Sequence, residues 1–280
     1  MITLPDYNAP LIIPGGYFNG RITPLTPIEF NDFLTTYHLD YLRYLYFLCI
    51  MGAEGEYPLD ITLEEIEEAF NNQDRSCIPR INKILIGEAP PSNYTNYFYN
   101  IHSPWNAVNG NPGAGQGWTT AIKKALFPGM IFHTKTEFLV ECAQRGFLLL
   151  DLFPYPITYT GRNTIMYQNA CINAFRGTYP INVIGQLNSI ICCISIELSI
   201  GFAMRSFGEY ILNSADCVTD FHAWQALNGI ILNPLGAINL IRPIPIIGAS
   251  NFHRICYQGG ANGGGPMGPN VALMNIAGIV

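Results

Sequence analysis

The sequence has few charged residues: Asp, Glu, Lys and Arg make up only 12% of its 280 residues. That is roughly half the share in an average soluble domain. The surface must therefore consist largely of neutral polar side chains, and the chain indeed holds 25 Asn and 16 Tyr. Because little charge repels other copies from such a surface, we expect homo-oligomerisation or burial in a larger assembly. Hydrophobic residues reach 49%, which excludes an intrinsically disordered chain.

The chain also lacks a hydrophobic run long enough to span a membrane. Its most apolar stretch, residues 190–204, includes Glu197 and falls short of the roughly twenty residues that a spanning helix needs. Residues 1–14 lack the basic region and the long apolar run of a secretory signal. We therefore predict no membrane partner and a cytoplasmic location.

Several motifs that would indicate a metal or a cofactor are missing. Eight cysteines are present, but no two form a C-x-x-C pair, and several lie among apolar residues, as reduced and buried thiols do. Spacing alone therefore predicts no metal site, no disulfide framework and no cofactor. G-x-S-x-G, H-E-x-x-H and EF-hand patterns do not occur. The glycine-rich segment 111–118 precedes a helical pattern without the Lys-Ser/Thr of a P-loop, and we interpret it as a loop rather than an anion-binding helix start.

Charged residues are distributed unevenly along the chain. Residues 1–80 carry a net charge of −8 and residues 81–280 one of +2, which together give −6. Nucleic-acid binding depends on the charge of the contact surface and not on that of the whole chain. The net negative charge therefore does not exclude DNA as a partner. We divide the chain into an acidic, mainly helical extension (1–80), an α/β domain (81–256) and a Gly/Asn-rich tail (257–280).

Helix signals come first and are followed by strands that alternate with helices. Thr26 and Thr62 begin capping signatures, which predict one helix running towards Ile50 and an acidic helix over 63–71. The predicted strands are 83–86, 147–150, 181–184 and 244–247. The predicted helices between them are 118–127, 136–145, 164–175 and 189–204. This alternation indicates an α/β fold: a three-layer sandwich with a central parallel sheet of about four strands, preceded by the N-terminal helical segment.

Polar residues follow the predicted strands, where open parallel sheets bind their ligands. The loops selected by this rule are 87–93, 151–155, 185–188 and 248–254. Gly87 lets a ligand approach the backbone, Glu88 supplies a carboxylate, and Tyr94 and Tyr97 offer rings for a flat ligand. Asp151 adds a carboxylate after the second strand. A structural turn over an aromatic mini-core, and a helix-capping role for Asp151, stay open as alternatives.

These strand ends, in this order, resemble motifs of the uracil-DNA glycosylase superfamily. GEAPP, LLLD, IG and GAS-x-x-x-R each follow a strand within residues 81–256. Members of that superfamily begin with a GEAPG-like loop, continue with a strand ending in the asparagine that reads the base, and close with an HPSP-like loop. Here Asp151 occupies the position of the asparagine, and Gly248 that of the HPS histidine.

The resemblance implies a protein that recognises a nucleobase and hydrolyses its N-glycosidic bond in single- or double-stranded DNA, without a cofactor. It implies that Glu88 orients a water molecule and that Asp151 reads the base, as the catalytic pair. The substrate-binding residues that it implies are Gly87, Ala89, Pro90, Tyr94, Tyr97, Phe153, Ser250, Asn251 and Arg254. Two other functions stay open: a catalytically inactive scaffold or assembly component with this fold, and an enzyme on a free nucleoside or nucleotide.

Overall fold

Two helices precede the sheet in the part of the chain that the structure describes. The computed structural model describes residues 37–72, 77–91, 94–153, 165–177, 183–202, 208, 210–211 and 213–232. Helix α1 spans Leu39–Cys49 and helix α2 spans Leu63–Asn71. Thr62 caps α2, because its hydroxyl accepts a hydrogen bond from the backbone N–H of Glu65. In return, the Glu65 carboxylate accepts one from the backbone N–H of Thr62 at 2.8 Å. The predicted capping box is confirmed, whereas the predicted helix start at Thr26 lies outside the described residues.

Strand β1 (Ile81–Gly87) lies inside a parallel sheet. Two short strands, β2 (Trp105–Asn106) and β3 (Asn111–Pro112), form a separate antiparallel pair. The remaining strands are β4 (Phe147–Asp151), β5 (Ile194–Phe202) and β6 (Ile231–Leu232). The order in the sheet is β4-β1-β5-β6, and all three pairings are parallel. The predicted α/β architecture, with a central parallel sheet flanked by helices, is confirmed.

The helices that follow β1 agree in part with the sequence pattern. They are α3 (Gly117–Leu126), α4 (Lys135–Gln144), α5 (Ile165–Phe175), α6 (Val183–Ser189) and α7 (Ala215–Leu227). The first three confirm the predictions for residues 118–127, 136–145 and 164–175. None of the described helices has the length and hydropathy needed to cross a bilayer.

Two predictions between residues 181 and 204 are wrong. The predicted strand 181–184 and the loop 185–188 after it are wrong, because Val183–Ser189 forms α6. The predicted helix over 189–204 is wrong as well, because Ile194–Phe202 forms β5. Within β5, isoleucine or leucine alternates with serine or glutamate from Ile194 to Ile200, the two-residue period of a strand. The mostly apolar residues on both sides of this segment, 190–193 and 200–204, masked that period. The last predicted strand, 244–247, lies outside the described residues.

Two buried tyrosine hydroxyls bond to the backbone of β4, which lies at one edge of the sheet among the described residues. Tyr44 of α1 donates to the carbonyl of Phe147 at 2.5 Å. Tyr99 donates to the carbonyl of Leu149 at 2.5 Å and accepts from the N–H of the same residue at 2.9 Å. These bonds satisfy backbone groups that β1 does not pair, and they join the N-terminal helix to the same core as the sheet.

Gly146 sets the position of β4, and its replacement tests that role. Its φ is +67°, and a Cβ there would lie 2.2 Å from the carbonyl oxygen of Arg80. Gly129 has a similar φ of +79° but open space around the same position. Positive φ costs an L-residue about 1–2 kcal/mol at either position. We predict that Gly146→Ala lowers the free energy of unfolding by about 1–3 kcal/mol more than Gly129→Ala, because only the first creates a clash.

Urea unfolding of the two variants beside the wild type measures this difference. Equal losses of stability in both variants would show that Gly146 is needed only for its backbone conformation.

Candidate functional site

A cavity of about 220 Å³ opens where β1 and β4 end. Its polar lining includes the carboxylates of Glu88 and Asp151 and the amide of Asn96. The carboxyl ends of neighbouring parallel strands are where open α/β sheets bind ligands. The cavity is therefore the candidate functional site among the described residues.

The register of the two strands brings the site together. Gly87 of β1 pairs with Asp151 of β4, and the pairing continues past both strands because Leu152 donates to the Gly87 carbonyl at 2.9 Å. Phe153 donates to the carbonyl of Glu88 at 2.8 Å. A Cβ at position 87 would lie 2.5 Å from Oδ1 of Asp151. Glycine is thus required at position 87 for the Asp151 carboxylate to lie against β1.

The carboxyl group of Asp151 has a pKa that is shifted close to neutral pH. Its burial, and then the charge of Glu88, raise the pKa of Asp151 to about 7. Among the described residues no side-chain hydrogen bond reaches this carboxyl, although its backbone carbonyl accepts from Gln186 of α6 at 3.3 Å. Near neutral pH the carboxyl therefore changes between a protonated form with one donor and an ionised form that only accepts.

Helix α5 orients the second carboxylate. The hydroxyl of Tyr167 donates to Oε1 of Glu88 at 2.5 Å, and Tyr167 is fully buried. A hydrogen bond from this buried donor fixes the orientation of the Glu88 carboxyl group. The site thus holds two carboxyl groups in different surroundings, which is the arrangement that acid–base chemistry requires.

Aromatic rings form much of the remaining lining. Tyr97 and Phe98 are buried and Trp118 is partly buried. Burial, followed by the charge of Asp151, raises the pKa of Tyr97 well above its ordinary value, so its hydroxyl stays protonated. Rings of this kind stack on flat ligands and also contribute to the packing beneath the loop.

Five of the sequence-predicted site residues line the cavity. They are Gly87, Glu88, Ala89, Tyr97 and Asp151. The structure thus joins the first two strand-end loops, as the topology predicts.

Other predicted residues lie elsewhere or outside the described chain. Tyr94 donates to Asp40, and its ring packs against Tyr37. Pro90 and Phe153 are buried and do not line the cavity. Their roles in substrate binding stay predictions, as do those of Ser250, Asn251 and Arg254, which fall outside the described residues.

Sequence reasoning missed one side of the site. The segment 111–118 was interpreted as a plain loop, but Gly115, Gly117 and Trp118 line the cavity opposite the strand ends. Gly115 has φ +82°, and a Cβ there would lie 3.0 Å from the side-chain amide of Asn96. Gly115 and Gly117, close to Trp118 at the start of α3, were the available signal, because glycine permits such a close approach.

Comparisons with known proteins give no information on the function of the site. No family model, curated protein or solved structure matches the chain. The resemblance to the uracil-DNA glycosylase superfamily therefore depends on the motifs alone. Of these, GEAPP and LLLD lie at strand ends as expected, whereas IG lies within α6 and does not follow a strand.

Asp151→Asn is predicted to stabilise the protein at high pH only. The folded chain keeps the Asp151 proton up to about pH 7, whereas the ordinary value is 3.8. The folded state therefore loses stability as the pH rises between these values. We expect the variant to exceed the wild type by about 2–4 kcal/mol at pH 8 and by little at pH 4.

Urea unfolding at both pH values measures the difference. Asp60→Asn is the matched control, because Asp60 is exposed. A stability difference that is the same at pH 4 and pH 8 would contradict the raised pKa of Asp151.

Proposed function

We propose that the cavity binds a nucleobase and that the protein hydrolyses the N-glycosidic bond of that base, as uracil-DNA glycosylases do. The observation that carries the proposal is the pair of carboxyl groups, Glu88 and Asp151, in one small, aromatic-lined cavity at the strand ends. A cavity of about 220 Å³ is below the usual 300–1,000 Å³ range of drug-sized sites. A single ring system such as a base is a ligand of fitting size and shape.

Asp151 would read the edge of the base in its protonated form. A neutral carboxyl offers one donor and one acceptor side by side. The uracil edge presents the O4 acceptor beside the N3–H donor, and the cytosine edge presents the opposite pattern, so the neutral carboxyl pairs with either after a flip. The ionised carboxylate accepts a hydrogen bond from the donor on the base edge, but it faces the neighbouring acceptor without a hydrogen bond. This mismatch costs about 1–3 kcal/mol.

Glu88 would act on water. Its carboxylate, oriented by Tyr167, accepts a proton from a water molecule as the water oxygen bonds to C1′ of the sugar. The bond between C1′ and the base nitrogen breaks, and its electron pair leaves with the base. The base leaves as an anion that is hydrogen-bonded to Asp151, and it then takes up a proton from solvent water.

A free nucleoside is a second candidate substrate. The described residues that line the cavity include two acids and no base, which disfavours a polyanion. The ammonium of Lys123 donates to the Met130 carbonyl at 2.9 Å and to Asn111 at 3.3 Å, which disfavours a contact between Lys123 and DNA phosphate. Arg162, Arg242 and Arg254, which would favour DNA if they faced the same groove, lie outside the described residues.

The first test is the pH dependence of uracil release. As Asp151 ionises between pH 6 and pH 8, we expect uracil release by the wild type to fall. Asp151→Asn keeps one donor and one acceptor at every pH, so its rate should stay level and exceed the wild type at pH 8 by about tenfold to a hundredfold.

Released base is measured by chromatography, with Asp60→Asn as the control. Single-stranded and double-stranded oligonucleotides containing uracil are compared with free deoxyuridine, and the same panel is repeated with cytosine. Efficient uracil release by the wild type at pH 8, with Asp151→Asn no better, would show that Asp151 does not read the base. No release from any substrate would overturn the proposed hydrolysis and favour the scaffold function.

The second test separates binding from turnover. Glu88→Gln removes the group that accepts the proton of water, and we predict a kcat lower by about 10²–10⁴-fold. KM should stay nearly unchanged, because the base contacts Asp151 and the rings. Glu141→Gln in α4, outside the cavity, is the matched control. An unchanged kcat for Glu88→Gln would remove Glu88 from the mechanism.

A further inference from the structure

Three cysteine thiols from two segments that are far apart in the sequence meet at the opposite end of the sheet. The Sγ atoms of Cys77, Cys192 and Cys193 all lie within 4.8 Å of one another. Cys77 precedes β1 by four residues, and Cys193 directly precedes β5. Since Ile81 and Ile194 pair in register, these thiols lie where the two strands begin, away from the cavity at their ends.

A fourth thiol extends the cluster. Cys49, the last residue of α1, is fully buried and shares a thiol hydrogen bond with Cys193. Its carbonyl accepts from the N–H of Ile78 at 3.1 Å, which holds the end of α1 against the segment that carries Cys77. The chain thus delivers four sulfur atoms from three separate segments to one place.

We propose that Cys77, Cys192 and Cys193 bind one Zn²⁺ ion, with Cys49 as the fourth ligand. Thiolates are soft ligands that select Zn²⁺ or Cu⁺ over Ca²⁺ or Mg²⁺. Four sulfurs match the closed tetrahedral coordination of a structural zinc site. Each ligand loses its thiol proton when the ion binds, so one Zn²⁺ displaces four protons.

The sulfur separations agree with this geometry after a small adjustment. Zinc–sulfur bonds of about 2.3 Å at tetrahedral angles place two sulfurs about 3.8 Å apart. The Sγ atoms of Cys192 and Cys193 are 3.9 Å apart, and those of Cys77 and Cys192 are 2.6 Å apart. The second distance is shorter than a zinc site requires, and rotation of the partly exposed Cys77 side chain would open it by about 1 Å.

A single disulfide between Cys77 and Cys192 accounts for the short distance between these two sulfurs but not for the other two thiols. A bond between Cys77 and Cys192 would use two of the four thiols. It would not explain why the thiols of Cys193 and Cys49 lie beside them. A zinc ion uses all four and ties the end of α1 to the starts of β1 and β5. It would join residues that are 115 positions apart in the chain.

Zinc loading of the full chain tests the proposal. The protein is purified in a reductant that does not bind metal, incubated with Zn²⁺, desalted and analysed for bound metal. We expect one Zn²⁺ per chain. Loading with Co²⁺ should give the sulfur-to-cobalt charge-transfer bands and the intense visible bands of tetrahedral thiolate coordination.

Variants locate the ion. Cys192→Ser should lower zinc affinity by more than about a hundredfold, since loss of a direct ligand exceeds the effect of removing an outer-shell partner. Cys217→Ser, a buried thiol outside the cluster, should bind zinc as the wild type does. If Cys192→Ser fails to fold, alkylation of the wild type replaces it: zinc should protect Cys77 and Cys192 from iodoacetamide, and a chelator should remove that protection.

Three results would overturn the proposal. The first is a loaded wild-type chain that keeps no zinc after desalting. The second is full zinc binding by Cys192→Ser. The third is a reduced-buffer preparation whose mass is lower by two hydrogens, with Cys77 linked to Cys192.

Discussion

The parallel pairing between β1 and β4 is the interaction on which the rest of the structure depends. It places Gly87 opposite Asp151, and this register brings two carboxyl groups from chain positions far apart into one cavity. A shift by one residue would turn the side chain at position 151 to the other face of the sheet. The absence of a side chain at position 87 is part of the same arrangement, because the Asp151 carboxylate fills the space where a Cβ would be.

The elements that the sequence predicts well are those whose signals are local. Strands β1 and β4 are short apolar runs that end at Gly87 and Asp151, and α2 begins with a complete capping box. The carboxyl-end rule then selects Glu88 and Asp151 together, since it requires only that both strands be parallel. The two carboxyl groups of the cavity could therefore be predicted from the sequence.

What sequence reasoning missed depends on contacts between distant segments. The segment before Gly201 alternates apolar with polar residues as a strand does, but the apolar residues around it also fit a helix, and pairing with β1 selects the strand. Trp118 lines the cavity close to Gly115, which approaches Asn96 tightly, and this contact between two separate segments forms only in the folded chain. The thiols of Cys77 and Cys192 meet only once β1 and β5 are side by side, so their spacing in the chain carries no metal signature.

The tyrosines at the edge of β4 have a consequence for solubility. A strand edge with bare N–H and C=O groups is a template on which a second chain can add a strand, and growth of such contacts leads to fibres. A chain with 12% charged residues has little electrostatic repulsion to prevent this. Tyr99 occupies both the N–H and the C=O of Leu149, and Tyr44 occupies the carbonyl of Phe147. Two hydroxyl groups thus close this edge to cross-β growth, in a protein whose surface supplies few charges to do so.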